Sequence, residues 1–148
     1  MFNIFEVKEK WHPDVYSGSV MVKSGKNIIS PVLCGSLKDI VKTLSLVAVH
    51  CTTCEYEDAM AFVNKAYECI STQEYPDCSD DDVSILYFEI ENQEVVNAFL
   101  QGSDDGLLNC YVAAIEILSE IADFEYVVAA IKIELRHQTA SKKDFNMF

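Results

Sequence analysis

The spacing of apolar residues in this 148-residue chain predicts an α+β fold. The expected form is one compact domain over residues 1–138, with about five mostly antiparallel strands, about four helices and a central helix near 104–122. Three observations carry the prediction. Two short β-branched runs flank a glycine-containing connector near Gly25. Apolar stripes at helical spacing fill residues 37 to 72, and an almost wholly apolar segment from Leu107 to Ala122 follows a serine and two aspartates. With half of its residues hydrophobic and only 5 Gly and 3 Pro, the chain is expected to fold despite a net charge of −13.

Asn3 to Glu9 sets Phe5 and Val7 on one side and Glu6 and Lys8 on the other, the alternation of a half-exposed strand. Ser19–Lys23 and Asn27–Leu33 then read as the arms of a hairpin around Ser24, Gly25 and Lys26. Pro31 lacks a backbone donor, which places the second arm at a sheet edge.

Ser36 stands where an N-cap is expected, and Leu37, Ile40, Val41 and Leu44 continue at helical spacing to about Val49. Thr52 and Glu55 have the spacing of a capping box ahead of a second helix, which carries Ala59, Met60, Val63, Tyr67 and Ile70 to about Thr72. A loop runs from Gln73 to Asp82. Val83 to Ile90, apolar on both faces, suits an interior strand. A short helix is expected from Gln93 to near Gly102, burying Val95, Val96, Phe99 and Leu100. Ser103, Asp104 and Asp105 supply a cap and first-turn acids for the most buried helix. Tyr126 to Leu135 is rich in β-branched residues and is assigned as the last strand, ahead of a C-terminal tail from 139 to 148. No internal repeat is read.

Charge gives the strongest functional signal. Between Cys51 and Asp105 there are 14 acidic residues and one base, Lys65, so this block carries the whole net charge of −13 and the flanks are neutral. Direct nucleic-acid binding is disfavoured, because it depends on lysines and arginines that release counterions. Acids gathered on one surface instead suit a basic protein, steering its approach and imitating a row of phosphates. The expected function is an acidic, cytoplasmic inhibitor of the immunity-protein or decoy type, which neutralises a nuclease toxin or another nucleic-acid-handling enzyme by occluding its cleft. No cofactor and no membrane partner are expected. The expected contact set is Glu55, Glu57, Asp58, Glu68, Tyr75, Asp77, Asp80, Asp81 and Asp82, with Tyr75 as the anchor because a tyrosine buries area while keeping a polar tip. Tyr56 and Tyr87, also inside the block, read as core residues.

Two competing readings come from other features. His50, Cys51 and Cys54 form the segment HCTTC, which with Cys69 and Cys78 would serve a small zinc- or thiol-dependent enzyme. Against it, Glu55, Glu57 and Asp58 crowd the same turn and oppose thiolate formation, and Cys69 and Cys78 are too far apart for a paired zinc knuckle. All six cysteines are therefore expected to be reduced, with Cys34 and Cys110 in the core. The other reading is an acidic structural subunit or adaptor whose apolar tail builds an oligomer. Phosphate-binding glycine loops, HExxH, GxSxG and a complete EF-hand loop are missing from the sequence, and His12 and His137 read as surface histidines.

Overall fold

A computed structural model describes residues 17–25, 28–52, 55–76 and 83–146. Along the chain come β1 (Gly18–Gly25), β2 (Ile28–Cys34), α1 (Leu37–His50), α2 (Tyr56–Thr72), β3 (Ser84–Glu91), β4 (Glu94–Gln101), α3 (Asp104–Leu118) and α4 (Phe124–Asn146). The order ββαα thus occurs twice. The strands form one antiparallel sheet in the order β2-β1-β3-β4, so the first strands of the two hairpins meet at its centre and the second strands are its edges.

Alternation on the central strands decides which side of the sheet is covered. Val20 and Val22 of β1 and Leu86, Phe88 and Ile90 of β3 point the same way and are buried. Helices α1 and α3 lie on that side, and α2 and α4 pack on them, giving layers of sheet, helices and helices. The middle layer is enclosed nearly all round. In α1 even Thr43 and Ser45 are buried, each turning its hydroxyl to a backbone carbonyl, Asp39 O at 2.8 Å and Lys42 O at 2.7 Å, which satisfies a group that would otherwise be costly to bury. Lys42 meets Glu134 of α4 at 3.6 Å.

The two halves are related by an approximate two-fold axis through the sheet. Gly18–Gly25 and Ser84–Glu91 are both 8 residues long, start 66 positions apart (84 minus 18), and pair with Met21 opposite Tyr87 at the centre. A bulge in β4 leaves Val96 unopposed between the pairs Ile90–Val95 and Glu89–Asn97, so equivalent residues beyond it are one position further apart. From there Gly35 and Gly102 correspond, both at φ +124°, and Ser36 and Ser103 are both N-caps. Ser36 Oγ accepts from Asp39 N at 3.1 Å and Ser103 Oγ from Gly106 N at 3.0 Å. Core positions follow the same spacing: Ile40 with Leu107, Val41 with Leu108, Leu44 with Tyr111 and Ala48 with Ile115 are all buried. Tyr111 donates its buried hydroxyl to Leu44 O at 2.8 Å, so this equivalent pair touches where the axis crosses the helix layer. The internal repeat that sequence reading missed is one of position, with Gly-Ser ahead of each buried helix as its only visible mark.

Several expectations change. Four strands, not five, occur among the described residues, and the strand expected at Asn3–Glu9 lies outside them. Residues 126–135 are helical because Val127, Val128, Ile131 and Leu135 make one buried stripe at helical spacing, and this stripe outweighs β-branched propensity. The backbone of 139–146 continues α4. The helix expected from Gln93 is instead β4, because Asn92 and Gln93 both take positive φ (50° and 70°) and turn the chain straight back onto β3. Thr52 and Glu55 form no capping box: Thr52 bonds back to Ala48 O and Val49 O at 3.1 Å, and Glu55 caps α2 without a side-chain bond. Cys110 is buried as expected, whereas Cys34 is exposed at the end of an edge strand.

Candidate functional site

Helix α2 separates its apolar and charged residues by angle. Ala59, Val63, Ala66 and Cys69 are buried at intervals of three and four, and Phe62 meets the Tyr111 ring of α3 edge-on at 5.0 Å. The opposite side presents Glu57, Asp58, Lys65 and Glu68, all exposed, along roughly 16 Å at 1.5 Å per residue. Glu57 and Asp58 also occupy the first turn, where the helix dipole favours anions. Glu55, at the cap, is exposed as well.

The first turn of α3 adds Asp104 and Asp105, again exposed. Both reach the neighbourhood of α2. Burial first, then Cys110 and Asp104, push the Cys51 thiol just before α2 up to about 12. Burial first, then Glu68, and more weakly Asp105, raise the Cys69 thiol on α2 itself. Helices α2 and α3 pack against each other, so the two sets of carboxylates stand on neighbouring elements. Among the described residues, Glu55, Glu57, Glu68, Asp104 and Asp105 have no basic partner within ion-pair distance.

Tyr75, just beyond α2, is 44% exposed and donates its hydroxyl to Glu116 Oε2 of α3 at 3.0 Å. Asn109 Nδ2 donates to Pro76 O at 3.2 Å. These two bonds moor the start of the connector from which the acidic run departs. Asp77, Asp80, Asp81 and Asp82 lie outside the described residues.

Other carboxylates of the block stand elsewhere. Glu91 and Glu94 form the tip of the β3–β4 hairpin, at the end of β3 away from Ser84 and the first turn of α3. Eight residues of strand put about 23 Å between those ends. Glu89, half-buried on β3, accepts from Asn97 Nδ2 at 2.7 Å. The continuous acidic block of the sequence thus becomes a principal group on α2 and α3 and a smaller one at the hairpin tip.

The HCTTC segment offers little thiolate chemistry at its described positions. Cys51 stays protonated through neutral pH because it is partly buried beside Cys110 and Asp104. His50 is exposed and bonds Leu46 O at 2.9 Å, with its ring edge-on to Phe88 at 5.2 Å. Cys54 and Cys78 lie outside the described residues, and no group of three or more His, Cys, Asp or Glu converges on a metal-sized site among the described ones. His137 is exposed as expected, and His12 is outside the described residues.

Sequence reasoning missed one surface altogether. The side of the sheet turned away from the helices carries a row in register across all four strands, Val32, Met21, Tyr87 and Phe99. Val32 is 55%, Met21 46% and Phe99 48% exposed. Tyr87, expected in the core, is half-buried there, and desolvation with the nearby Glu89 raises its hydroxyl. The signal was available: both faces of residues 83–90 are apolar, yet the described helices cover only one. Tyr56, by contrast, packs against the core as expected.

No helix among the described residues is long and apolar enough to cross a membrane. No protein-family description matches the chain, and neither a curated protein nor a solved structure is detectably similar to it.

Proposed function

We propose that the protein binds a basic protein partner through the carboxylates of α2 and the first turn of α3, with Tyr75 as the aromatic contact at the edge of that surface. The observation that carries the reading is the exposure of Glu55, Glu57, Glu68, Asp104 and Asp105 without ion-pair partners among the described residues. Carboxylates left unpaired on neighbouring elements repel one another, a cost that a cationic partner relieves on binding. The partner class is a nuclease, toxin domain or other nucleic-acid-handling enzyme, whose phosphate-binding cleft is lined with lysine and arginine and is closed by a surface of opposite sign. Asp77, Asp80, Asp81 and Asp82 follow Tyr75 and Pro76 closely in the chain and belong to the same proposed contact set.

The test is capture of basic proteins from cell extract on immobilised protein at low salt, followed by elution with salt. The triple substitution Glu57→Lys, Asp58→Lys and Glu68→Lys leaves the buried side of α2 untouched, so the fold is expected to persist with a thermal midpoint lowered modestly by the loss of two first-turn anions. Association with the captured partner is expected to slow by about tenfold or more, with a shallower dependence on salt. Retention of the same partner by the folded triple variant, with unchanged salt dependence, overturns the reading.

A further inference from the structure

We infer that the face of the sheet turned away from the described helices is a self-association surface, on which a second copy of this chain stacks sheet to sheet. The inference concerns a different side of the molecule from the acidic helix and does not depend on its partner. Two side chains from each half make the row Val32–Met21–Tyr87–Phe99, and the approximate two-fold axis passes between Met21 and Tyr87. In this row and the rows on either side of it, the only charged residues are Lys23 and Glu89. On a chain of net charge −13 this patch is electrically neutral and apolar at its centre. The like-charge repulsion that opposes contact through the acidic group on α2 and α3 is therefore weak on this patch.

The two charges also specify how the copies meet. Lys23 lies two residues from Met21 on one side of the row, and Glu89 two residues from Tyr87 on the other. A two-fold axis in the interface plane, running along the row, lays one apolar row on the other. It also brings Lys23 of each copy toward Glu89 of its mate. The contact is isologous, as a closed dimer requires, and it forms two ion pairs by symmetry.

Edge-to-edge pairing, the other way for an open sheet to associate, is obstructed on both sides. Pro31 interrupts the donors of β2, and the bulge at Val96 distorts β4. The face is what remains. Four strands about 4.8 Å apart and about 23 Å long give a footprint of roughly 400–450 Å², about half of the ~800 Å² per partner in a standard stable interface. The association is therefore weak and depends on concentration.

Sedimentation velocity of the full chain from about 1 µM to about 500 µM is the test. A reversible monomer–dimer equilibrium is expected. Phe99→Asp, at an exposed edge position, should weaken dimerisation at least tenfold with thermal unfolding little changed. Lys23→Glu and Glu89→Lys should each weaken it, and the double swap Lys23→Glu/Glu89→Lys should restore it, which a nonspecific apolar contact does not explain. A monomer at every concentration overturns the inference, whether the row is left bare or covered by residues 1–16 of the same chain. A dimer indifferent to Phe99→Asp and to the charge reversals overturns it too.

Discussion

The two halves solve the same packing problem with opposite choices of small residue. In each, the first strand of the hairpin passes close to the first turn of the helix that lies on the sheet. In the first half the strand gives way: Gly18 leaves room for Asp39 O and Thr43 Oγ1, which a Cβ there would meet at 3.5 and 3.0 Å. In the second half the helix gives way. Ser84 occupies the position equivalent to Gly18, and Gly106 the position equivalent to Asp39, where a Cβ would come within 3.0 Å of Ser84 Cβ. The backbone arrangement demands one missing side chain per joint and is indifferent to which element lacks it. For that reason the architecture repeats while the sequence does not.

The largest effect should come where the halves share a backbone conformation but not its surroundings. Gly35 and Gly102 both sit at φ +124°, which an alanine adopts only with strain of about 1–3 kcal/mol. At Gly35 the added Cβ would meet Ser17 O at 3.3 Å and Gly18 Cα at 3.4 Å, so strain is the main cost. At Gly102 it would lie 2.8 Å from Ser84 Cβ and 3.0 Å from Ser84 Cα, and overpacking adds roughly 1–3 kcal/mol more. Urea unfolding should therefore show Gly102→Ala clearly less stable than Gly35→Ala. Equal losses would mean that Ser84 moves aside at no cost and that the joints are not distinct.

A smaller effect sharpens the comparison. Gly106→Ala alone should destabilise by about 1–3 kcal/mol through contact with Ser84, despite the better helix propensity of alanine. Combining it with Ser84→Gly gives the second half the arrangement natural to the first, glycine on the strand and a Cβ on the helix. The double variant should recover most of the loss, giving a coupling energy of about 1 kcal/mol or more between residues in contact. Additive losses would show that the two joints are not equivalent.

How much of this was legible before folding depends on the range of the determining interaction. The first hairpin, the caps at Ser36 and Ser103 and the buried α3 are set by local chemistry, a glycine connector, a hydroxyl near an amide and continuous apolarity, and the sequence displays them. β4 and α4 were misassigned for one shared reason. Val95, Val96, Phe99 and Leu100 fit a helix as well as a strand, and Tyr126–Leu135 fits both in reverse; the choice is made by packing partners, β3 across the Asn92–Gln93 turn for one and the sequence-distant layer of α1 and α2 for the other. Carboxylates of the acidic block were all visible, but their division between α2, the first turn of α3 and a hairpin about 23 Å away follows from strand direction, which composition does not encode. The uncovered apolar row needed the register of all four strands at once.

The last difference between the halves concerns the ends of their buried helices, and at neutral pH it should be nearly silent. Helix α1 is capped by Cys51 and α3 by Ser119. Cys51 lies between the layers, where burial, Cys110 and Asp104 raise its thiol from 9.0 to about 12. In the unfolded chain the thiol ionises near 9, while the folded protein holds its proton until about 12. Between those limits the unfolded state binds fewer protons, so stability falls as pH rises, whereas below 9 the contribution is fully present. Cys51→Ser places at the end of α1 the residue type that caps α3 and removes a group that ionises in this range. The slope of thermal stability between pH 9 and 11 should become shallower, with a residual decline from Cys69 and Tyr111, whose folded forms also resist ionisation through burial. An unchanged slope in the serine variant would place the alkaline sensitivity on the other groups whose ionisation folding opposes, Cys69 and the tyrosines Tyr75, Tyr87 and Tyr111, and remove this contrast between the helix ends.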